Sequence, residues 1–346
     1  MKTKILQRGL ISCVIFLGTF LLGISQNHLK QVQRVPLDSI KQVTRIAFGS
    51  CNHQSLPQEM WINILQHRPD IWVWLGDNIY GDTRTMEKMK RIYNKQLSKP
   101  NYVTFLKYVP VIGIWDDHDY GGNNVDKTYP MKRETQQLFL DFIGEPLGTT
   151  RRNQEGIYTS YVFGKPGKQV KFILLDVRYH KEKPGENSDI LGEEQWKWLE
   201  EELRNSTAQI HFIATGTQFT SDKKTTERWL QFPASVKRMH DLIRSSQVPG
   251  VIFLSGDIHC GEMMVNNSSE LPYPLYEFTS SGLTHGHWGP GVKSNSYKIR
   301  NPFCGRNYGL MTINWNEPVS IKVELRDIQD FVNQEITIYL DDLRKK

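Results

Sequence analysis

The chain carries little excess charge of either sign. Its 43 Lys and Arg residues nearly balance 37 Asp and Glu residues, which gives a formal net charge of +6. The first 25 residues hold three basic residues and no acid. Without them the basic count falls to 40 and the net charge to +3. A chain this close to neutral gives no electrostatic case for nucleic-acid binding.

Internal repeats and low-complexity segments are also absent, and no second signature indicates another domain. The composition, 38% hydrophobic and 23% charged with many aromatic residues, is that of an ordinary globular protein able to bury a large core. A length of 346 residues suits one large domain or two medium ones.

The longest apolar run, residues 9–24, is short for a membrane span, which needs roughly 20 residues. It follows Lys2, Lys4 and Arg8 and ends near Gly23 and Ser25, which is the layout of a secretory signal. We therefore predict a signal peptide over residues 1–25 and a secreted, periplasmic or otherwise extracytoplasmic protein. An uncleaved anchor is the alternative. Residues 26–44 form a short polar lead-in.

Cysteine is rare. After signal removal three cysteines remain: Cys51, Cys260 and Cys304. An odd number in an exported protein leaves one thiol unpaired or available for chemistry. Cys260 and Cys304 can form a disulfide, but the sequence does not decide this.

Near-continuous apolar runs alternate with helical stretches from Arg45 onward, as expected of strands buried on both faces. The runs are RIAFGSC (45–51), IWVWLGD (71–77), VPVIGIWDD (109–117), VKFILLD (170–176), QIHFIATG (209–216) and VIFLSGD (251–257). Residues 191–205 predict an amphipathic helix with one apolar stripe of Trp196, Leu199 and Leu203. The C-terminal segments LMTINW, SIKVELRD and EITIYL alternate like antiparallel strands. We predict an α/β fold with a mixed sheet, or two sheets in a sandwich flanked by helices.

Most of these strands end in a residue of a ligand type, namely Cys51, Asp77, Asp117, Asp176 and Asp257. Sites in open α/β sheets assemble beyond the carboxyl ends of strands. One such aspartate is commonly a helix cap or a turn residue, but a series of them indicates a site. Adjacent motifs add a phenol, an imidazole and an amide, and this mixture of donors suits a metal centre better than an acyl-transfer triad.

The ordered motifs FGSC, GDNIYGD, WDDHDYGGNN, LLDVR, LGEEQWKWL, GTQF, SGDIHCG and TSSGLTH resemble those of the PhoD-like alkaline phosphatases, in the calcineurin-like metallophosphoesterase superfamily. The resemblance covers residues 45–346, which we predict to be one metallophosphatase domain. It implies a four-layer-type α/β metallophosphoesterase sandwich, with mixed β-sheets flanked by helices.

The resemblance also implies metal ligands. Asp77 would bridge two ions, and Cys51 and Tyr80 would complete the shell of iron(III). Asp257 and His259 match further ligand positions, while Asp117 and Asn123 are both candidates for a second ion, calcium. Two or more metal ions are expected; manganese and zinc are alternatives to iron and calcium.

The predicted reaction is in-line attack on phosphorus by a metal-bound water. His118 would donate to a phosphate oxygen or protonate the leaving group, and Asp119 would orient its ring. Arg178 would either pair with phosphate or form a salt bridge with Asp176 or a neighbouring acid. Gln218 would line the site, and His285 and His287 would rim it.

The predicted function is therefore a secreted phosphomonoesterase or phosphodiesterase acting on a small-molecule, lipid or polymer phosphoester. The alternatives are a phospholipase-type or sugar-phosphate esterase and a non-catalytic, metal-stabilised binding protein. No nucleic-acid partner is expected, and a peripheral contact with a membrane is left open.

Overall fold

The computed structural model describes residues 29–223, 227–287 and 295–344. The predicted signal peptide lies outside these residues. No helix in the described ranges combines the length and apolar character that crossing a membrane requires.

Long apolar runs account for most of the strands, because such runs can be covered on both faces. In chain order the strands are β1 (Arg45–Gly49), β2 (Ile71–Leu75), β3 (Val111–Ile114), β4 (Thr159–Phe163), β5 (Val170–Leu174), β6 (Ile210–Ala214), β7 (Val251–Ser255), β8 (Gly261–Asn266), β9 (Leu275–Ser280), β10 (Asn307–Asn314), β11 (Ser320–Asp327) and β12 (Val332–Tyr339). Every predicted apolar run contains a strand, and the three C-terminal segments fall in the antiparallel strands β10, β11 and β12.

Helices connect and cover the strands. They are α1 (Met60–Gln66), α2 (Met86–Gln96), α3 (Pro100–Leu106), α4 (Asp117–Tyr120), α5 (Lys132–Ile143), α6 (Thr150–Asn153), α7 (Glu193–Arg204) and α8 (Pro233–Ser246), with short 3-10 helices at Trp229–Gln231 and Leu340–Leu343. The predicted helix over 191–205 is α7, and its stripe of Trp196, Leu199 and Leu203 is buried as expected.

The strands form two mixed six-stranded sheets, with the orders β12-β11-β10-β1-β2-β3 and β4-β5-β6-β7-β9-β8. In the first sheet β1, β2 and β3 are parallel. In the second, β5, β6, β7 and β9 are parallel, with β4 and β8 antiparallel at the edges. The predicted fold class, α/β with two mixed sheets flanked by helices, is confirmed.

The two sheets meet where β1 and β10 pack against β8 and β9. A parallel bridge between Ser50 and Ser281 joins them just beyond the carboxyl end of β1. Two glycines allow the close approach needed there. A Cβ on Gly256 would lie 2.5 Å from Ser50 Oγ, and a Cβ on Gly216 would collide with Asp116 Oδ1. The carboxyl ends of both sets of parallel strands therefore open at one edge of the molecule.

Candidate metal centre

The first group of candidate ligands stands at the carboxyl ends of β1, β2 and β7. Donor atoms of Cys51, Asp77 and His259 all lie within 4.8 Å of one another. Cys51 Sγ is 3.4 Å from Asp77 Oδ2, and Tyr80 Oη is 3.0 Å from His259 Nε2. The structure thus brings together a thiol, a carboxylate, a phenol and an imidazole.

Two further groups of candidate ligands continue from the first. Asp77, Asp117 and His118 form one, and Asp116, Asp117 and Asp257 form the other, with the same limit of 4.8 Å between donor atoms. Asp77 belongs to the first two groups and Asp117 to the last two. The three groups therefore form one continuous line of donors, which we call the ligand groove.

The backbone of the ligand groove has an unusual conformation. Cys51, Asp77, Asp257 and His259 have φ angles of 56°, 50°, 71° and 55°. Such left-handed values are uncommon for residues with a side chain and cost of order 1–3 kcal/mol each. The fold thus sets Cys51, Asp77 and Asp257 at sharp turns just after buried strands, and His259 in the connection between β7 and β8.

The charges in the ligand groove oppose one another. Burial, reinforced by the neighbouring Cys51 and Asp117, raises the pKa of Asp77 well above its usual range. Burial and the nearby Asp116 do the same for Asp257. Asp116 Oδ2 is buried and accepts no hydrogen bond from the described residues. Crowded, under-satisfied carboxylates beside a thiol and an imidazole suit bound cations, which would supply the missing positive charge.

Arg178 is fully buried beside these acids and is held by two of them. Its Nε donates to Asp116 Oδ1 at 2.5 Å, and its Nη1 lies 2.7 Å from Glu227 Oε2. The same Glu227 also pairs with Lys181. The structure therefore favours the salt bridge over the predicted phosphate contact. The partner is not Asp176, whose carboxylate accepts the backbone N–H groups of Ile157, Arg178 and Tyr179.

His118 faces the ligand groove at the start of α4. Its backbone N–H lies 2.8 Å from Asp117 Oδ1, and its ring Nδ1 lies 2.7 Å from Asp82 Oδ1. Burial is the largest single influence and opposes protonation of the ring. The hydrogen bond to Asp82 and the charges of Asp117, Asp82 and Cys51 together outweigh it and raise the pKa of His118 to about 9. The ring packs on Tyr80 with 4.2 Å between centroids. A protonated imidazole held in this way can donate a hydrogen bond or a proton.

Asp119 does not orient this imidazole, contrary to the prediction. Its Oδ1 accepts the Asp116 N–H at 2.6 Å, and its Oδ2 accepts the backbone N–H of Asn78 at 3.1 Å. Burial raises the pKa of Asp119 to about 8. In a short helix the side chain at the third position faces back toward the cap, so Asp119 fixes the turn and Asp82 takes the predicted role.

Asn123 lies on the exposed turn after α4. The backbone N–H of its neighbour Asn124 reaches Asp117 Oδ2 at 2.6 Å, while the Asn123 side chain makes no hydrogen bond to the described residues. Its part as a metal ligand stays a prediction.

A rim of imidazoles surrounds Tyr80. His53 stacks on the tyrosine with 5.2 Å between centroids, and His285 packs edge-on against it at 5.1 Å. Burial lowers the pKa of His285 to about 4. The predicted rim position of His285 agrees with these contacts, whereas His287 is exposed.

Gln218 lies outside the ligand groove, contrary to the prediction. Its Nε2 donates to Glu262 Oε2 and Thr279 Oγ1 in a separate buried polar cluster. Its amide is held by side chains of β8 and β9, which keeps it among these strands rather than among the candidate ligands.

The PhoD-like phosphatase family matches residues 46–317, which is most of the chain and includes every candidate ligand. This chain belongs to the PhoD-like phosphatase family. Alkaline phosphatase D of Bacillus subtilis is 23% identical over 275 residues, which covers 65% of this chain and 47% of that protein. The chain thus spans about half the length of this curated relative.

Solved structures show the same fold. The structure of PhoD superposes with a TM-score of 0.70 at 19% identity and covers 88% of this chain and 70% of that one. A dimetal phosphatase from Danio rerio gives 0.52 at 13% identity, covering 87% and 100%. GAP50, an anchor in the inner membrane complex of Plasmodium, gives 0.57 at 14% identity, covering 87% and 90%.

Sequence reasoning within this PhoD-like chain missed Asp82, Asp116 and His53. All three stand inside or beside motifs that were recognised, because Asp82 ends GDNIYGD, Asp116 precedes Asp117 and His53 follows FGSCN. The available signal was the density of ionisable residues in these motifs. It did not indicate that both neighbouring acids, Asp116 and Asp117, would belong to the ligand groove.

Proposed function

We propose that this protein is an exported, metal-dependent hydrolase of phosphoric esters. The observation that carries the proposal is the convergence of the three ligand groups in one groove beside His118. The family supports a phosphoesterase, and the imidazole beside the ligand groove supports catalysis rather than structural metal binding.

The donor set divides the ligand groove into two ends. Cys51 and Tyr80 would offer anionic, strongly donating atoms and His259 an imidazole nitrogen, a set that suits iron(III). Asp77 lies between them and the acidic end. Asp116, Asp117 and Asp257, with Asn123 nearby on the turn, would offer oxygen atoms to a hard ion such as calcium. Manganese and zinc remain alternatives at these positions. Bound cations supply Lewis-acid activation of water and neutralise charge on the phosphate.

The chain's own residues then handle the proton. His118 faces the ligand groove with one ring nitrogen held by Asp82, so the other nitrogen is left to meet the substrate. It would donate to a phosphate oxygen or protonate the leaving alkoxide. Arg178 supports this indirectly, because it fixes the Asp116 carboxylate at the acidic end.

The fold by itself does not establish hydrolysis, since the similar chain of GAP50 is an anchor in the inner membrane complex of Plasmodium. A non-catalytic, metal-stabilised protein is therefore the alternative. A site built only for structure has no need of a solvent-accessible imidazole with a carboxylate partner, which favours the enzyme.

Elemental analysis of the purified protein, with assays on a chromogenic phosphomonoester and a phosphodiester, tests the proposal. We expect at least two bound metal ions and hydrolysis of one or both esters. His118→Ala should lower kcat roughly 10²–10⁴-fold with unchanged metal content. Asp77→Asn should lower both metal content and activity. Full activity in His118→Ala, or metal-replete protein that hydrolyses neither ester, would reject the proposal.

Export is the second part of the proposal. It rests on the basic and apolar layout of residues 1–25. Mass spectrometry of the protein released by its host should find Gln26 as the first residue. An intact Met1 would contradict cleavage.

A further inference from the structure

The edge of the molecule opposite the ligand groove carries an exposed apolar surface. Ile40 and Tyr108 are 69% and 66% exposed there, and Leu37 is 39% exposed. Lys107, Lys165 and Lys168 stand beside them, all exposed. We call these six residues the basal patch.

Three separate segments build the basal patch, each leading into the amino end of a strand. Leu37 and Ile40 precede β1, Lys107 and Tyr108 precede β3, and Lys165 and Lys168 precede β5. The ligand groove forms at the carboxyl ends of β1 and β3, and the segment after β5 brings Arg178 beside it, so the two surfaces lie at opposite edges.

Direct contacts hold the three segments together. The Val35 N–H donates to Leu106 O at 3.0 Å, which joins the lead-in to the end of α3. The Gly164 N–H donates to Ser39 O at 2.9 Å, which sets the lysine-bearing turn beside Ile40. Leu37 also shares the lining of a cavity of about 440 Å³ with Leu106 and Val109, the residues on either side of Lys107 and Tyr108.

The lysines of the basal patch are uncompensated. In the part of the chain that the structure describes, Lys107, Lys165 and Lys168 form no ion pair, whereas Lys197 of α7 and Lys237 of α8 each pair with an acid on their own helix. Asp38 is the acid inside the lead-in segment, and its Oδ1 accepts the Ile40 N–H at 3.0 Å. The basal patch therefore combines solvent-exposed apolar side chains with excess positive charge.

We propose that the basal patch binds the surface of an anionic phospholipid bilayer. Apolar and aromatic side chains can enter the headgroup region, while unpaired lysines gain roughly 1 kcal/mol each from anionic lipids. A second copy of the chain fits less well, because a two-fold contact through the basal patch would bring its lysines toward their own copies. Bound in this way, the protein presents its ligand groove to the aqueous side.

Co-sedimentation with vesicles tests the proposal on the protein as its host exports it. We expect binding to phosphatidylcholine vesicles that contain phosphatidylglycerol and little binding to phosphatidylcholine alone. The double variant Lys165→Gln with Lys168→Gln should weaken binding about 30-fold, since two lysines are neutralised. Leu37→Ser with Ile40→Ser should weaken it roughly tenfold, through loss of apolar contact.

Matched control variants distinguish binding through the basal patch from a general effect of the protein's net charge. Lys183→Gln with Lys237→Gln makes the same charge change beyond the carboxyl ends of β5 and β6 and should leave binding unchanged. Equal binding to neutral vesicles, or anionic binding untouched by both patch variants, would overturn the proposal. The proposal would also be overturned if the parent protein forms a dimer and the patch variants are monomeric. Hydrolysis of a soluble ester without vesicles should be the same in all these variants, so the result does not depend on the proposed activity.

Discussion

His118 Nδ1 lies 2.7 Å from Asp82 Oδ1, across the two motifs GDNIYGD and WDDHDYGG. The contact fixes the ring orientation and leaves Nε2 as the nitrogen free to meet a substrate. It also ties the imidazole to the loop that carries Asp77 and Tyr80. The His118 side chain is 16% exposed and that of Asp82 45%, so solvent screens the pair only in part and it is worth more than a fully exposed surface pair.

Removing the charge of Asp82 should impair turnover without removing metal. We expect Asp82→Asn to lower kcat/KM roughly 10-fold to 100-fold, because the ring of His118 loses its anchor. Asp82→Glu should recover part of the loss. Metal content, measured on the same samples, should match that of the parent. The control Asp342→Asn, at the exposed C-terminal end, should match the parent in both metal content and kcat/KM. A metal-depleted Asp82→Asn protein would show that Asp82 acts on the ligands instead.

The disulfide between Cys260 and Cys304 should stabilise the ligand groove. Cys260 follows His259 directly, and the strand it begins is paired with Phe303 through two backbone hydrogen bonds. Replacing both cysteines by serine should lower the free energy of unfolding by roughly 2–4 kcal/mol and weaken metal retention. Thermal unfolding with and without reductant measures this. The double variant should not respond to reductant, and an equal response in both proteins would contradict the assignment.

Arg178 should prove structural when it is removed. Arg178→Met leaves Asp116 and Glu227 buried without their partner, so we expect a loss of roughly 3–5 kcal/mol in urea unfolding. Arg238→Met breaks the exposed pair with Glu193 and should cost at most about 1 kcal/mol. If Arg178→Met instead raises KM and leaves stability unchanged, the result would support the predicted contact between Arg178 and phosphate.

Acid should destabilise the second sheet through His211. Burial lowers the pKa of this β6 residue to about 4, and its ring nitrogens contact Pro249 O at 2.8 Å and Ser206 Oγ at 2.7 Å. The unfolded chain takes up the proton near pH 6.5, whereas the folded chain does so only near pH 4. Stability is therefore full above pH 6.5 and falls by about 3 kcal/mol as the pH drops to 4.

The variant His211→Gln has no group that titrates at this position, so comparing it with the parent isolates the contribution of His211. The difference in unfolding free energy between parent and variant should shrink steadily from pH 6.5 to pH 4. Parallel pH curves for the two proteins would show that His211 does not contribute.

Much of the fold followed from the sequence because buried strands leave a strong local signal. The runs ending at Asp77 and Asp257 are apolar throughout, and each contains a fully buried strand. Helix α7 was equally clear from its spacing of Trp196, Leu199 and Leu203. Strands β4, β8 and β9 and the bounds of the α-helices other than α7 were not predicted, since these segments lack continuous apolar runs or a single clear stripe.

Within the ligand groove, the motifs could be recognised from the sequence, but not all the hydrogen bonds and salt bridges between their side chains. Asp116 and Asp117 are neighbours, yet only Asp116 meets Arg178. Asp119 was paired with His118 because it stands next to it, whereas Asp82 reaches the ring from another loop. Contacts across loops depend on how the turns are oriented, and no local pattern encodes that orientation. The disulfide was left open for the same reason.

The left-handed turns at Cys51, Asp77, Asp257 and His259 have a consequence for the life of the protein before it meets its ions. Each turn is held against its own conformational preference, and the acids between them repel one another. Newly folded chains that have not yet bound metal should therefore be the ones most open to proteolysis, and scarcity of metal should reduce how much protein accumulates as well as how fast it works.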